Sequence, residues 1–207
     1  VTEKDRLKVL AVGAHPDDIE LGCGGTLRRH ILKGDEVVFI IASLGERNSE
    51  GGKRRAEALR SAELLGVKAV HFLNLPDTMI RHDGETVSKL DKFVHADIDV
   101  VYVHSPRDYH QDHANIAASV LSASRNWRNS IFFYETPTTT IEFRPALYVD
   151  ITDVFDTKIE CIRQYFSQQG KEYMEEQAIF GLAKYRGYSL RVEYAEAFEV
   201  GRLKLFD

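Results

Sequence analysis

The run Leu7-Lys8-Val9-Leu10-Ala11-Val12-Gly13 leads at once into Ala14-His15-Pro16-Asp17-Asp18, and then into Leu21-Gly22-Cys23-Gly24-Gly25-Thr26. A short apolar run without alternation reads as a strand buried on both faces. Proline stiffens the turn behind it. A helix is predicted over residues 21–33, stopped by Gly34. The same unit then recurs. Strands are predicted at 36–42, 68–72, 99–103 and 130–134, with helices at 53–65, 86–96 and 113–124 between them. Strands that alternate with helices pair in parallel through right-handed crossovers. The expected fold is therefore α/β: a Rossmann-like, mainly parallel sheet flanked by helices.

After Tyr134 the rhythm changes. Residues 136–140 form a β-prone polar stretch and 146–150 another strand. Helices are predicted at 153–167 and 172–185, and a last strand at 192–198. No linker composition separates this C-terminal helical and strand extension. The expectation is one domain over 1–207, with a core of about 7–135 and an extension of about 136–207. A chain of 207 residues, 43% of them hydrophobic, can bury a core without disulfides. Lys and Arg number 27 against 32 Asp and Glu, a net charge of −5, which argues against nucleic acid as a partner. Cys23 and Cys161 lie far apart and suggest a reducing compartment. The longest uncharged apolar run, 37–44, is far short of the ~20 residues that span a bilayer. The first residues show no signal-peptide pattern. A soluble, cytoplasmic protein without a membrane partner is expected.

Ligands of open α/β sheets gather at the carboxyl ends of the parallel strands. The first strand ends in His15-Pro16-Asp17-Asp18, and the second runs into Ser43-Leu44-Gly45-Glu46-Arg47. The fourth runs through His104 to His110-Gln111-Asp112-His113. Across a tight turn His15 and Asp18 can face one metal while Asp17 points elsewhere; the competing reading has one of these aspartates capping the next helix. His110 and His113 share a helical face if a helix starts there; the competing reading is a polar helix start with Asp112 favoured by the dipole. His15, Asp18 and one of the two histidines make two imidazoles and a carboxylate with a position left open. Catalytic zinc uses such a set, and so do non-haem iron oxygenases, whose usual all-β fold the strand–helix alternation contradicts. No cysteine pair offers a structural zinc site.

These residues resemble the signature of the PIG-L/LmbE-like zinc-dependent de-N-acetylases. Ala14-His15-Pro16-Asp17-Asp18 with the glycine-rich segment matches the first metal motif, and His110-x-Asp112-His113 the second. Arg54-x-x-Glu57, opening a helix that ends Leu65-Gly66-Val67, and Tyr194-Ala195-Glu196-Ala197-Phe198 match weaker elements, in the family's order. The resemblance implies Zn2+ held by His15, Asp18 and His113, with Asp17 as general base. It implies His110 as a positively charged donor near the oxyanion, polarised by Asp112. It also implies a substrate derived from N-acetylglucosamine, and a homo-oligomer, with a hexamer by analogy to compact relatives. Arg54 and Tyr109 become candidate substrate contacts, and Glu46, Arg47 and Asn48 plausible sugar-contacting loop residues.

The chemistry is consistent with that role. An amide is a poor electrophile, so its hydrolysis needs a metal-activated water, a spare carboxylate and a donor for the oxyanion. With an ionised Asp17 and a protonated His110, the pH profile would be bell-shaped. The expected activity is thus removal of acetyl from an N-acetylglucosamine-type sugar derivative, a metal-dependent amidohydrolase reaction. The alternative is a non-hydrolytic nucleotide- or sugar-binding α/β protein. Gly22-Cys23-Gly24-Gly25 lacks the order of a dinucleotide loop, and its glycines are expected to allow close helix–sheet packing. Cys23 reads as core, and His104 as a candidate neighbour of the metal site.

Overall fold

The structure, a computed structural model, describes residues 6–47 and 51–204. Its elements run β1 (Lys8–Gly13), α1 (Asp18–Lys33), β2 (Glu36–Ile41), α2 (Gly51–Leu65), β3 (Ala69–Phe72), α3 (Gly84–Leu90), β4 (Val100–His104), α4 (Gln111–Ala123), β5 (Ser130–Tyr134), β6 (Leu147–Asp150), α5 (Phe155–Arg163), α6 (Glu176–Leu190) and β7 (Ala195–Arg202). They form a seven-stranded sheet of order β3-β2-β1-β4-β5-β7-β6. The first five strands pair in parallel, as the alternation predicts. β7 lies antiparallel to both β5 and β6, so the segment beyond residue 136 continues the same sheet.

Side chains alternate along β1. Val9 and Ala11 enter the core beneath α1, α2, α5 and α6, whereas Leu10 and Val12 enter the core beneath α3 and α4. Both faces are covered, which is why these strands read as continuous apolar runs. Three expectations fail locally. Residues 136–140 form a turn with an isolated bridge from Thr139 to Asp108 rather than a strand. The helix expected over 86–96 ends at Leu90, and the helices expected over 153–167 and 172–185 are Phe155–Arg163 and Glu176–Leu190, each preceded by a separate 3-10 turn.

The glycine-rich segment lies inside α1, which is broken at Cys23 (φ −146°). The break frees the amides of Gly25 and Thr26, and both donate to the Glu196 carboxylate at 2.9 and 2.7 Å. Lys158 Nζ pairs with that carboxylate at 2.6 Å, so a buried cation balances it. Tyr194-Ala195-Glu196-Ala197-Phe198 therefore locks β7 onto α1. Gly22 meets β5: a Cβ there would stand 2.2 Å from the Tyr134 ring. Cys23 and Cys161 are buried free thiols.

From β1 the chain departs one way for β2 and β3, then returns to place β4 on the other side of β1. The carboxyl ends of β1 and β4 thus border the crevice where ligands of such sheets bind. Among the described residues, no helix is long and apolar enough to cross a membrane.

Gly22→Ala should lose about 1–3 kcal/mol of stability in urea denaturation. Tyr134 cannot retreat, because its ring is fully buried and its hydroxyl donates to Val12 O at 2.8 Å. An unchanged midpoint would show that the helix and strand are not in this close contact.

Candidate active site

Asp18 opens α1 directly behind the β1 turn and is 6% exposed. Its Oδ2 accepts the His15 backbone amide at 2.7 Å and lies 3.4 Å from His15 Nδ1. Its Oδ1 lies 3.5 Å from His113 Nε2, contributed by the first turn of α4. His104, the last residue of β4, brings its Nε2 within 3.1 Å of both Asp18 Oδ2 and the Ala14 amide nitrogen. One ring nitrogen can serve only one of them at a time, as donor or as acceptor.

The imidazoles are held from behind by acids. His15 Nε2 lies 3.2 Å from Asp112 Oδ2 and 3.2 Å from Asp77 Oδ1. His113 Nδ1 lies 3.2 Å from Asp108 Oδ2 and 3.2 Å from Thr138 Oγ1. In both cases the far nitrogen is engaged and the near one turns to Asp18, the arrangement that orients metal-binding histidines. Asp77 and Asp108 went unassigned in the sequence. Applying the strand-end rule to β3 as well points to Asp77, in the loop that follows it.

Charge follows this geometry. Burial would raise the Asp18 pKa, but His113 and His104 hold it well below the usual carboxylate range. Burial opposes a charge on His15, yet hydrogen bonds to Asp112, Asp18 and Asp77 raise its pKa well above the ordinary imidazole value. The His15 contact brings Asp77 down to about 2. His104 is pushed down to about 4, first by burial and then by His113, and stays neutral. Three groupings bring ligand-type atoms within 4.8 Å of one another: His15, His110 and His113; Asp18, His104 and His113; His15, Asp77 and Asp112. The expected ligands His15, Asp18 and His113 fall in the first two, meeting at His113. Two imidazoles and a carboxylate make a donor set suited to zinc.

Asp17 stands apart from these groupings. It precedes α1 with a left-handed φ of 99° and gives the helix no side-chain capping bond; its carboxylate turns to Arg54 instead. Its Oδ2 accepts from Arg54 at 2.9 Å and lies 3.2 Å from the Tyr173 hydroxyl. Burial pushes its pKa up to about 7 in spite of Arg54, with Asp18 adding to the rise.

Several sequence expectations need correction. The Arg54 guanidinium lines the cavity bound to Asp17 and the Pro16 carbonyl, so it positions the carboxylate. Glu57, of the same motif, accepts from the Ser167 amide and hydroxyl. Tyr109 is 77% exposed and lies outside the cavity; the tyrosine at the site is Tyr173, which nothing in its flanking sequence singles out. The Asp112 carboxylate faces His15 and accepts the amides of Thr78 and Ile80, so it acts on His110 through its charge and not through a hydrogen bond. His110 caps α4 through Nδ1, which accepts the Asp112 amide at 3.2 Å. That bond leaves the proton of the neutral ring on Nε2. Burial, followed by His113 and His15, lowers the His110 pKa, so the ring stands as a neutral donor and not as the expected imidazolium. Glu46 and Arg47 brace Asp77 through its amide and carboxylate, and Asn48 lies outside the described residues.

His15, Asp17, Asp18, Arg54, Asp77, His110 and His113 share a cavity of about 200 Å³, closed by Leu21, Thr136, Pro137, Thr138, Lys171 and Tyr173.

Residues 10–124 match the PIG-L family, described as GlcNAc-PI de-N-acetylase. The uncharacterized deacetylase YaiS of Escherichia coli (strain K12) is 32% identical over 171 residues, covering 78% of this chain and 92% of its own. The structure of N,N'-diacetylchitobiose deacetylase from Pyrococcus horikoshii superposes with a TM-score of 0.84 at 27% identity, over 95% of this chain and 84% of that one. A 4-oxalmesaconate hydratase of Pseudomonas putida (strain KT2440) is 26% identical over 190 residues, 77% of this chain and 73% of its own. The chain belongs to the PIG-L family.

Arg54→Met would leave a buried carboxylate without its cation. At pH 8 the loss should be about 3–5 kcal/mol in urea denaturation. Removing the guanidinium raises the Asp17 pKa further above about 7, so at pH 6 the group takes up a proton and the loss shrinks. A loss equal at both pH values would show that Asp17 is not the partner that matters.

Proposed function

From membership in this family we propose that the chain is a zinc-dependent hydrolase that removes acetyl from an N-acetylglucosamine conjugate. One observation carries the reading: beside a cluster of metal-ligand type, an adjacent carboxylate with a pKa near 7 is held for other work. His15, Asp18 and His113 would hold the metal, and Asp77, Asp112 and Asp108 support the histidines among them from behind. Zinc held there would polarise the amide carbonyl and lower the pKa of water to about 7.

Asp17 accepts the proton of the attacking water and returns it to the nitrogen as the C–N bond breaks. Arg54 and Tyr173 fix the direction of that carboxylate. The His110 ring donates from Nε2 to the oxygen that gains negative charge, and a neutral donor suffices for this. Hydration of a carboxylate-rich acid, as the name of the Pseudomonas relative implies, calls for cations in the cavity. Beyond the metal and His15, the cations lining it are Lys171 and Arg54, and Arg54 is committed to Asp17, while Asp17, Asp18 and Asp77 line it as well. An uncharged amide suits it better.

Acetate release from diacetylchitobiose, abolished by a chelator and restored by zinc, is the direct test; no release from any N-acetylated sugar would refute the reading. Asp18→Asn should lose metal, whereas Asp17→Asn should keep it and lose roughly 10²–10⁴-fold in kcat. Metal retained in the first variant and lost in the second would reverse the two roles.

The pH behaviour gives two further checks. Asp17 must be ionised to act as a base, so kcat/KM should fall on the acid side, with a midpoint at or below pH 7, since a bound dication lowers its pKa further. His110→Ala should lower kcat without moving that limb. A midpoint that follows His110 instead would assign the base to the imidazole. In the metal-free protein His15 holds a proton at neutral pH. Zinc binding at neutral pH should therefore release the His15 proton in addition to what Asp17 and the bound water give up, and the total should fall in Asp17→Asn.

A further inference from the structure

A second cavity, of about 380 Å³, adjoins the site and shares three walls with it: Leu21, Pro137 and Tyr173. Tyr173 lines both, its hydroxyl 3.2 Å from Asp17 Oδ2. The new walls come from α6 and β7 and are mainly apolar, including Ile179, Leu182, Ala183 and Ala197. Four of the five charged residues at its edge are spent on one another. Arg186 grips Glu135 with two bonds of 2.7 Å, and Lys158 pairs with Glu196. Nothing in the reaction described above uses this space. Its volume lies within the range of small-molecule sites, which are lined mainly by apolar groups.

We infer that this cavity is a subsite for an apolar group carried by the sugar of the substrate. The inference rests on the deacetylase reading, which fixes the acyl group as acetyl and makes the rest of the conjugate the part left to reach past Tyr173. A second sugar would bring hydroxyls to walls that offer them few free partners, and unpaired buried hydroxyls are costly. An alkyl or aromatic aglycone meets the walls with nothing left unsatisfied. Substrate choice within the family fold would then be set by α6 and β7, away from the residues that do the chemistry.

The test compares methyl and hexyl β-glycosides of N-acetylglucosamine, read as acetate release. Full burial of each added methylene is worth up to about fourfold in kcat/KM, so the hexyl compound should lead by at least about tenfold. A parallel pair, the methyl glycosides of N-acetyl- and N-hexanoylglucosamine, should show no such gain. A hexyl-to-methyl ratio near one overturns the inference, and so does a gain confined to the N-hexanoyl compound, which would place the acyl chain in the cavity. Ala178→Trp, on the exposed part of α6 that lines the space, should bring the ratio towards one; a ratio unchanged in that variant also overturns it. Calorimetric binding of the two glycosides to Asp17→Asn gives the same ratio without turnover. If the wild type releases no acetate but that ratio still reaches about tenfold, the deacetylase reading fails and the apolar subsite stands.

Discussion

The site depends on one carboxylate that must stay charged inside the protein. Asp18 is almost wholly shielded, and burial by itself would make it take up a proton. It remains an anion because a backbone amide and the imidazoles of His15, His104 and His113 converge on its two oxygens. Two of these rings need support of their own, which Asp77, Asp112 and Asp108 supply. Those acids lean in turn on the amides of Arg47, Thr78, Ile80 and His110. Acid and base alternate outward until the chain of contacts ends in backbone, which cannot change its charge. The fold makes this feasible by bringing the ends of β1, β3 and β4 to one crevice.

Much of this was legible in the sequence. Buried parallel strands are apolar on both faces, so β1, β2, β4 and β5 stand out, and turns that carry His15-Pro16-Asp17-Asp18 or His110-x-Asp112-His113 at strand ends are hard to explain as packing. The direction in which a side chain points was less legible. Arg54 lies at the right spacing to approach the site, but only the structure shows its guanidinium wrapped around Asp17. Asp112 adjoins His113 in sequence, yet as a helix residue it faces across the crevice to His15. Tyr109 precedes His110 and was drawn into the same reading, although its ring points to solvent. Tyr173 is separated from Asp17 by 156 residues, and no local pattern links them.

The extension beyond residue 136 illustrates a different limit. Its strands and helices could be read one by one, but not the order in which β7 slides between β5 and β6. That order depends on Glu196 meeting the broken turn of α1, and on glycines that let helix and sheet approach closely. Both are tertiary facts: the sequence suggests that the glycines allow close packing, but not which strand they meet or which acid binds the break.

The Glu196 contact has a consequence for how the chain is made. The Gly25 amide emerges early during synthesis, and the carboxylate that satisfies it follows 171 residues later. Until then the break in α1 has only water to bind, and β5 lacks its outer neighbour. While the ribosome still holds β7, the helix that begins at Asp18 lacks the carboxylate that satisfies its broken turn. Pairings of such long sequence separation are slow to form and expose unpaired strand edges while they are pending. A strand far along the chain thus completes a helix made much earlier.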